Sequence, residues 1–191
     1  DVSTGLQPLK KSEIISYKNY ENEFYKKLWL LNGLHLQLAY YGLANGHTFI
    51  HEVIESKDGR EFAKLSVNSL AEAYALLSQS NENLDDFTNT IVDRFALPEI
   101  KDEVVRVARN PEIKFSKDER FEYPLRLLIS HDKNIDAFRK ILDIVTSGDY
   151  QQVEGFSNFK EDVLEKGKSN IYNDFWELEN YSKSYIERLG S

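Results

Sequence analysis

The sequence predicts an all-α fold, a single multi-helix domain over residues 1–191. Three observations carry this. Apolar residues recur at three- and four-residue spacing along most of the chain, no stretch alternates with the two-residue period of a strand, and no internal repeat or low-complexity linker divides it. With 41% hydrophobic and 29% charged residues the composition is that of an ordinary globular domain. A length of 191 residues is enough for one real core.

The first helix is expected over 20–41, broken by Gly42-Leu43-Ala44-Asn45-Gly46. Thr48 is placed to cap a short helix through Ile54, which a Lys57-Asp58-Gly59 turn would end. Over 60–77, Phe62, Leu65, Leu70, Ala73, Tyr74 and Leu77 form one stripe to be buried. Asn83 suits the cap of a helix with the apolar face Leu84, Phe87, Ile91, Val92 and Phe95, stopped by Pro98. A short helix over 99–109 halts before Pro111. Ser116 and Glu119 have capping-box spacing, and a helix restarts near Pro124. Further helices are expected over 134–146, closed by Gly148, over 153–165 and over 170–189.

Charge and composition narrow the function. A net charge of −8 and a pI near 5.1 argue against a nucleic-acid partner. No lysine- and arginine-rich run suggests a membrane surface. The most apolar stretch, 28–44, is interrupted by Asn32, His35 and Gln37, and it falls short of the roughly 20 residues of a membrane span. Cysteine is absent, which excludes disulfides, zinc–thiolate sites and thiol nucleophiles and fits a cytoplasmic location. The chain starts at Asp1 and contains no methionine, so it is expected to be a piece of something longer. None of its nine glycines forms G-x-G-x-x-G or a phosphate loop, so the chain by itself has no cradle for a dinucleotide.

Chemistry concentrates in the first helix. At 100° per residue Lys27, Asn32 and His35 fall at about 0°, 140° and 80°, on one broad face of a helix that is otherwise apolar nearly all round. Unpaired polar groups buried there would cost on the order of 1–3 kcal/mol each. A partly desolvated Lys27 can shed its proton and act as general base on an alcohol. Asn32 and His35 can donate hydrogen bonds to the oxygen that gains charge as hydride leaves carbon. The alternative is structural: Lys27 at the helix edge with its amine in water, Asn32 and His35 each bonded to a backbone carbonyl.

The spacing Lys27-x4-Asn32-x2-His35 resembles the K-x4-N-x2-H signature of the polyol-specific long-chain dehydrogenases and reductases. The continuation Ala39-Tyr40-Tyr41-Gly42-Leu43-Ala44-Asn45-Gly46-His47-Thr48 is similar too, with Ile50-His51-Glu52 after it. Arg94-Phe95 with Pro98 resembles the family's R-F-x-N-P turn, with Ala96-Leu97 as a departure. Within the family, Asp102 to Pro111 and Lys114 to Arg120 resemble the mannitol-1-phosphate 5-dehydrogenase branch, whose K-L-x-x-x-D-R here carries an inserted Glu119. Leu30-Leu31 and Gly33-Leu34 around Asn32 are closer to the hexuronate and mannitol 2-dehydrogenase branches. The resemblance spans roughly residues 20 to 130 and implies an all-α C-terminal substrate domain. By it, Lys27 is the general base, and Asn32 and His35 bind the reacting oxygen. It further implies that NAD is held mainly by a nucleotide-binding N-terminal domain, and that this chain alone turns nothing over.

Arg106, Arg109 and Lys114 form a basic cluster that could hold a sugar phosphate, or a solvated face paired with Asp102 and Glu103. Arg94 could reach a substrate or make a helix–helix ion pair. His47 and His51 lack the order and the third ligand of a zinc site, so no metal is expected. His131 suits a helix C-terminus. The aromatics Tyr172, Phe175, Trp176, Tyr181 and Tyr185 suit packing, or a face toward the nucleotide-binding domain. Three readings follow: a substrate domain for a polyol or its phosphate, the same for a hexuronate such as fructuronate or tagaturonate or for mannitol, and a helical interaction module without chemistry.

Overall fold

The computed structural model describes residues 20–161, and within them the fold is all-α. Its first helix, α1, covers 20–44 without a break but changes type: α-helical over 20–26, π-helical over Lys27–Gly33 and α-helical again over Leu34–Ala44. Nearly every residue from Leu28 to Tyr41 is buried, including Trp29, Leu34, Leu38 and Tyr40. A helix apolar on all sides becomes the central rod of its domain. Around it lie α2 (Ile50–Glu55), α3 (Lys57–Ser78), α4 (Asp85–Phe95), α5 (Val104–Ala108), α6 (Pro111–Lys114), α7 (Glu122–Ser130) and α8 (Asp136–Ser147). The C-terminal half of α1 packs on α5, α3, α2 and α8. Of the helix expected over 153–165, 156–161 is helical and 153–155 forms a turn; 162–165 and all of 170–189 lie outside the described residues.

Several expected boundaries shift for identifiable reasons. Lys57-Asp58-Gly59 is not a turn but the first turn of α3, because the Ser56 hydroxyl accepts from Gly59 N–H at 3.1 Å and caps it. Glycine is required there: a Cβ at position 59 would stand 2.0 Å from the Val53 carbonyl oxygen. Phe49 rather than Thr48 precedes α2, and Glu52 reaches back to accept from both their N–H groups, at 3.0 and 2.7 Å. Leu84 rather than Asn83 holds the cap position of α4, and Asn83, one residue earlier, accepts from Asp85 N–H at 2.8 Å. The Ser116 box does not form. Glu122, at the start of α7, accepts from Asp118 N–H at 2.8 Å instead.

The most consequential difference lies over 99–109. Instead of one helix there is a 3₁₀ turn, Pro98–Ile100, then Lys101 with φ of 50°, then an extended segment before α5. Backbone bonds clasp that segment to the chain before α2: Ile50 N–H to Asp102 O at 2.9 Å and Val104 N–H to Thr48 O at 3.0 Å. The Phe49–Glu103 bridge is isolated, and no strand is present among the described residues. The clasp sets Asp102 against α1.

Candidate functional site

Two of the sequence-predicted residues, Lys27 and Asn32, sit in the π-helical stretch, and His35 lies just beyond its end. Turns closed by i→i+5 hydrogen bonds are rare and gather at functional sites. In such a turn residues five apart stand one turn from each other, which is the separation of Lys27 and Asn32. Gly33 ends the stretch. A Cβ there would lie 3.0 Å from the Arg120 carbonyl oxygen and 3.3 Å from a Leu70 methyl, so glycine lets the 115–121 loop close against α1.

Two hollows open along this stretch. One, of about 150 Å³, is lined by Asn32, His35, Arg106, Arg109, Lys114 and Arg120. The other, of about 460 Å³, lies between α1 and α4 and is lined by Lys27, Leu31, Phe87, Ile91 and Arg94 among others. The structure thus joins Asn32 and His35 with the expected basic cluster, and it sets Lys27 with Arg94 in the neighbouring apolar hollow. Lys27 is exposed, where the sequence led to an expectation of partial burial. The buried amine is that of Lys26, which donates to Glu82 at 2.6 Å and lies 4.8 Å from the Phe87 ring centre. That pairing holds the Lys26 amine above its ordinary range, its hydrogen bond and ion pair outweighing desolvation, the largest single cause.

His35 is stacked on Phe95, ring centres 4.5 Å apart, with its Nε2 3.3 Å from Asp102 Oδ2. Nε2 is shielded from solvent, and the contact is too oblique for a well-formed hydrogen bond. Burial pushes the imidazole down to about 4, with Arg106, Lys114 and Arg94 acting in the same direction against the opposing pull of Asp102. The other Asp102 oxygen accepts from Arg106, so the ion pair expected as an alternative for the cluster forms at Arg106. Arg120 pairs with Glu119 at 3.1 Å. Arg109 has no ion pair among the described residues. Lys114 donates to the Val107 carbonyl at 2.7 Å. Burial lowers the Lys114 amine to about 8, helped by Arg120, Arg109 and Arg106. Four cations against two carboxylates leave a small hollow suited to an anion.

Sequence reasoning missed Arg120 and Asp102 as members of the site. Arg120 belonged to the quoted K-L-x-x-x-D-R segment, but only the fit at Gly33 shows it meeting Asn32. Asp102 was counted as a possible partner of Arg106, and its approach to His35 depends on the clasp. Among the described residues no three His, Asp or Glu gather as a metal site, and no helix is long and apolar enough to cross a membrane. His131 sits at the C-terminus of α7, its Nδ1 2.9 Å from the Leu127 carbonyl.

Comparison with known proteins gives this buried helical rod and its constellation a family. Residues 18–154 match the mannitol dehydrogenase C-terminal domain, and the chain belongs to that family. It is 37% identical over 150 residues to a mannitol-1-phosphate 5-dehydrogenase of Clostridium acetobutylicum, covering 76% of this chain and 36% of that protein. A second, from Phaeosphaeria nodorum, is 31% identical over 133 residues, covering 68% and 33%. A third, from Thermoanaerobacter pseudethanolicus, is 35% identical over 124 residues, covering 62% and 30%. The chain spans about a third of the length of the curated relatives it matches.

Proposed function

We propose that this chain is the substrate domain of an NAD-dependent dehydrogenase acting on a polyol phosphate, of the mannitol 1-phosphate and fructose 6-phosphate type, and inactive alone. The observation that carries this reading is the basic hollow, in which Asn32 and His35 share walls with Arg109 and Lys114. The reacting oxygen would sit at Asn32, with His35 beside it on the same substrate, and the phosphate at the cations.

NAD, when bound, accepts the hydride. The chain itself has no glycine-rich phosphate cradle, so the cofactor belongs mainly to a nucleotide-binding half. Lys27 would take the hydroxyl proton as that half covers the apolar hollow of Leu31, Phe87 and Ile91 and strips water from the amine. Asn32 would donate to the oxygen as charge develops on it. These roles go together with a small-molecule partner and with a cytoplasmic enzyme that needs no metal, no nucleic acid and no membrane.

Arg109→Ala separates this reading from a hexuronate or mannitol substrate. Titrated with mannitol 1-phosphate and with unphosphorylated mannitol, the variant should weaken the phosphate ligand at least tenfold more than the other, the loss of about one charge-assisted contact. Equal losses would count against a phosphate subsite. Reduction of NAD by this chain alone would refute the two-domain reading.

A further inference from the structure

We infer that Asp102 is a positioning residue, fixing His35 with its proton on Nε2 so that Nδ1 meets the ligand as an acceptor. The substrate role below rests on the dehydrogenase reading, whereas the tautomer itself does not. Of the two ring nitrogens, Nε2 is sealed from water and has the Asp102 carboxylate at 3.3 Å. A bare Nε2 would aim its lone pair at a carboxylate oxygen in a buried place, a repulsion with nothing to offset it. With the proton on Nε2 the same contact is attractive, despite its oblique angle.

A second proton on the ring is opposed. Burial and the charges of Arg106, Lys114 and Arg94 face it, and Asp102, already paired with Arg106, is the counterweight. The neutral ring therefore carries one proton, and Asp102 holds it. Nδ1 is left as the ring nitrogen available to the hollow, and a bare Nδ1 accepts but does not donate.

The division of labour that follows is specific. Asn32 supplies the donor for the oxygen that becomes charged. His35 accepts from a hydroxyl that keeps its proton, on a carbon next to the reacting one. The site would then select for vicinal hydroxyls, and a substrate lacking the second would lose a partner for a buried acceptor.

The test uses the ¹⁵N-labelled chain and long-range proton–nitrogen correlation of its imidazoles at pH 7. The His35 signals are assigned by their loss in His35→Gln. The expected pattern is a protonated Nε2 with a bare Nδ1, and loss of that single-tautomer pattern in Asp102→Ala. A protonated Nδ1 in the unaltered chain overturns the inference, as does an unchanged pattern in Asp102→Ala. Should Asp102→Ala fail to fold, the unaltered chain still decides. Because no ligand or turnover enters the measurement, its failure leaves the dehydrogenase reading standing, and an inactive whole enzyme leaves the tautomer standing.

Discussion

Raising the pH from 7 to 9 should weaken phosphate binding in the basic hollow about tenfold, through Lys114. Burial and three neighbouring guanidinium groups hold its amine at about 8. With that value the ammonium form is about nine-tenths populated at pH 7 and about one-tenth at pH 9. Phosphate monoesters lose their second proton near about pH 6, so the ligand's charge changes little across this window. The guanidinium groups do not titrate. If only the ammonium binds, affinity falls by the ratio of the two populations, about tenfold. The assay is calorimetric titration of the chain with mannitol 1-phosphate from pH 6.5 to 9.5 at constant ionic strength, since screening also weakens such contacts. Lys114→Arg should flatten the profile. A flat profile in the unaltered chain, or the same slope in Lys114→Arg, would refute the reasoning. Folding responds with the opposite sign. Between about 8 and the ordinary 10.5, the unfolded chain keeps a proton at Lys114 that the folded chain has lost, so stability without ligand rises with pH.

Acid should act on His35 in a related way. Folded, it takes its proton near 4, and unfolded near 6.5, so stability should fall as pH drops from about 6.5 to 4. His35→Phe should reduce that slope in urea midpoints. Gln37→Leu should stabilise the fold by about 1–3 kcal/mol, because Gln37 is fully buried with neither side-chain polar atom bonded; a lower melting temperature would contradict this. Gly42→Ala should destabilise by about 1–3 kcal/mol in denaturant titrations, since its methyl would come within 2.8 Å of Val104 Cγ1 and 2.9 Å of Val53 Cγ2.

The helices were legible where periodicity and punctuation agree. The α3 stripe is such a local feature and formed in most of its positions: Phe62, Leu70, Ala73 and Tyr74 are buried, Leu77 is half-buried, and Leu65 stays exposed. The site was legible in its residue types but not in its arrangement. Angles of an ideal α-helix put Lys27, Asn32 and His35 on one face, whereas the π turns over Lys27–Gly33 divide them between two hollows. No composition rule announces such a turn, and it falls where Trp29 and Leu30 are fully buried. Over 99–109 the helical pattern was overridden by the long-range pairing of Thr48 and Ile50 with 102–104. Gln37 and Ser66 show the same limit. The Gly33 contact with Leu70 and the Tyr41–Phe62 stack bracket them on facing turns of α1 and α3, a register no local signal encodes.

The widened turns in α1 amount to one surplus amino acid threaded into an otherwise regular spiral. Removing a single residue between Leu28 and Leu31 would let the spiral tighten into ordinary pitch. Everything upstream would then rotate by about 100° relative to Asn32, changing the hollow that Lys27 faces, while the greasy girdle from Leu34 onward kept its register. The placement of Lys27 in this chain thus hangs on a single extra residue.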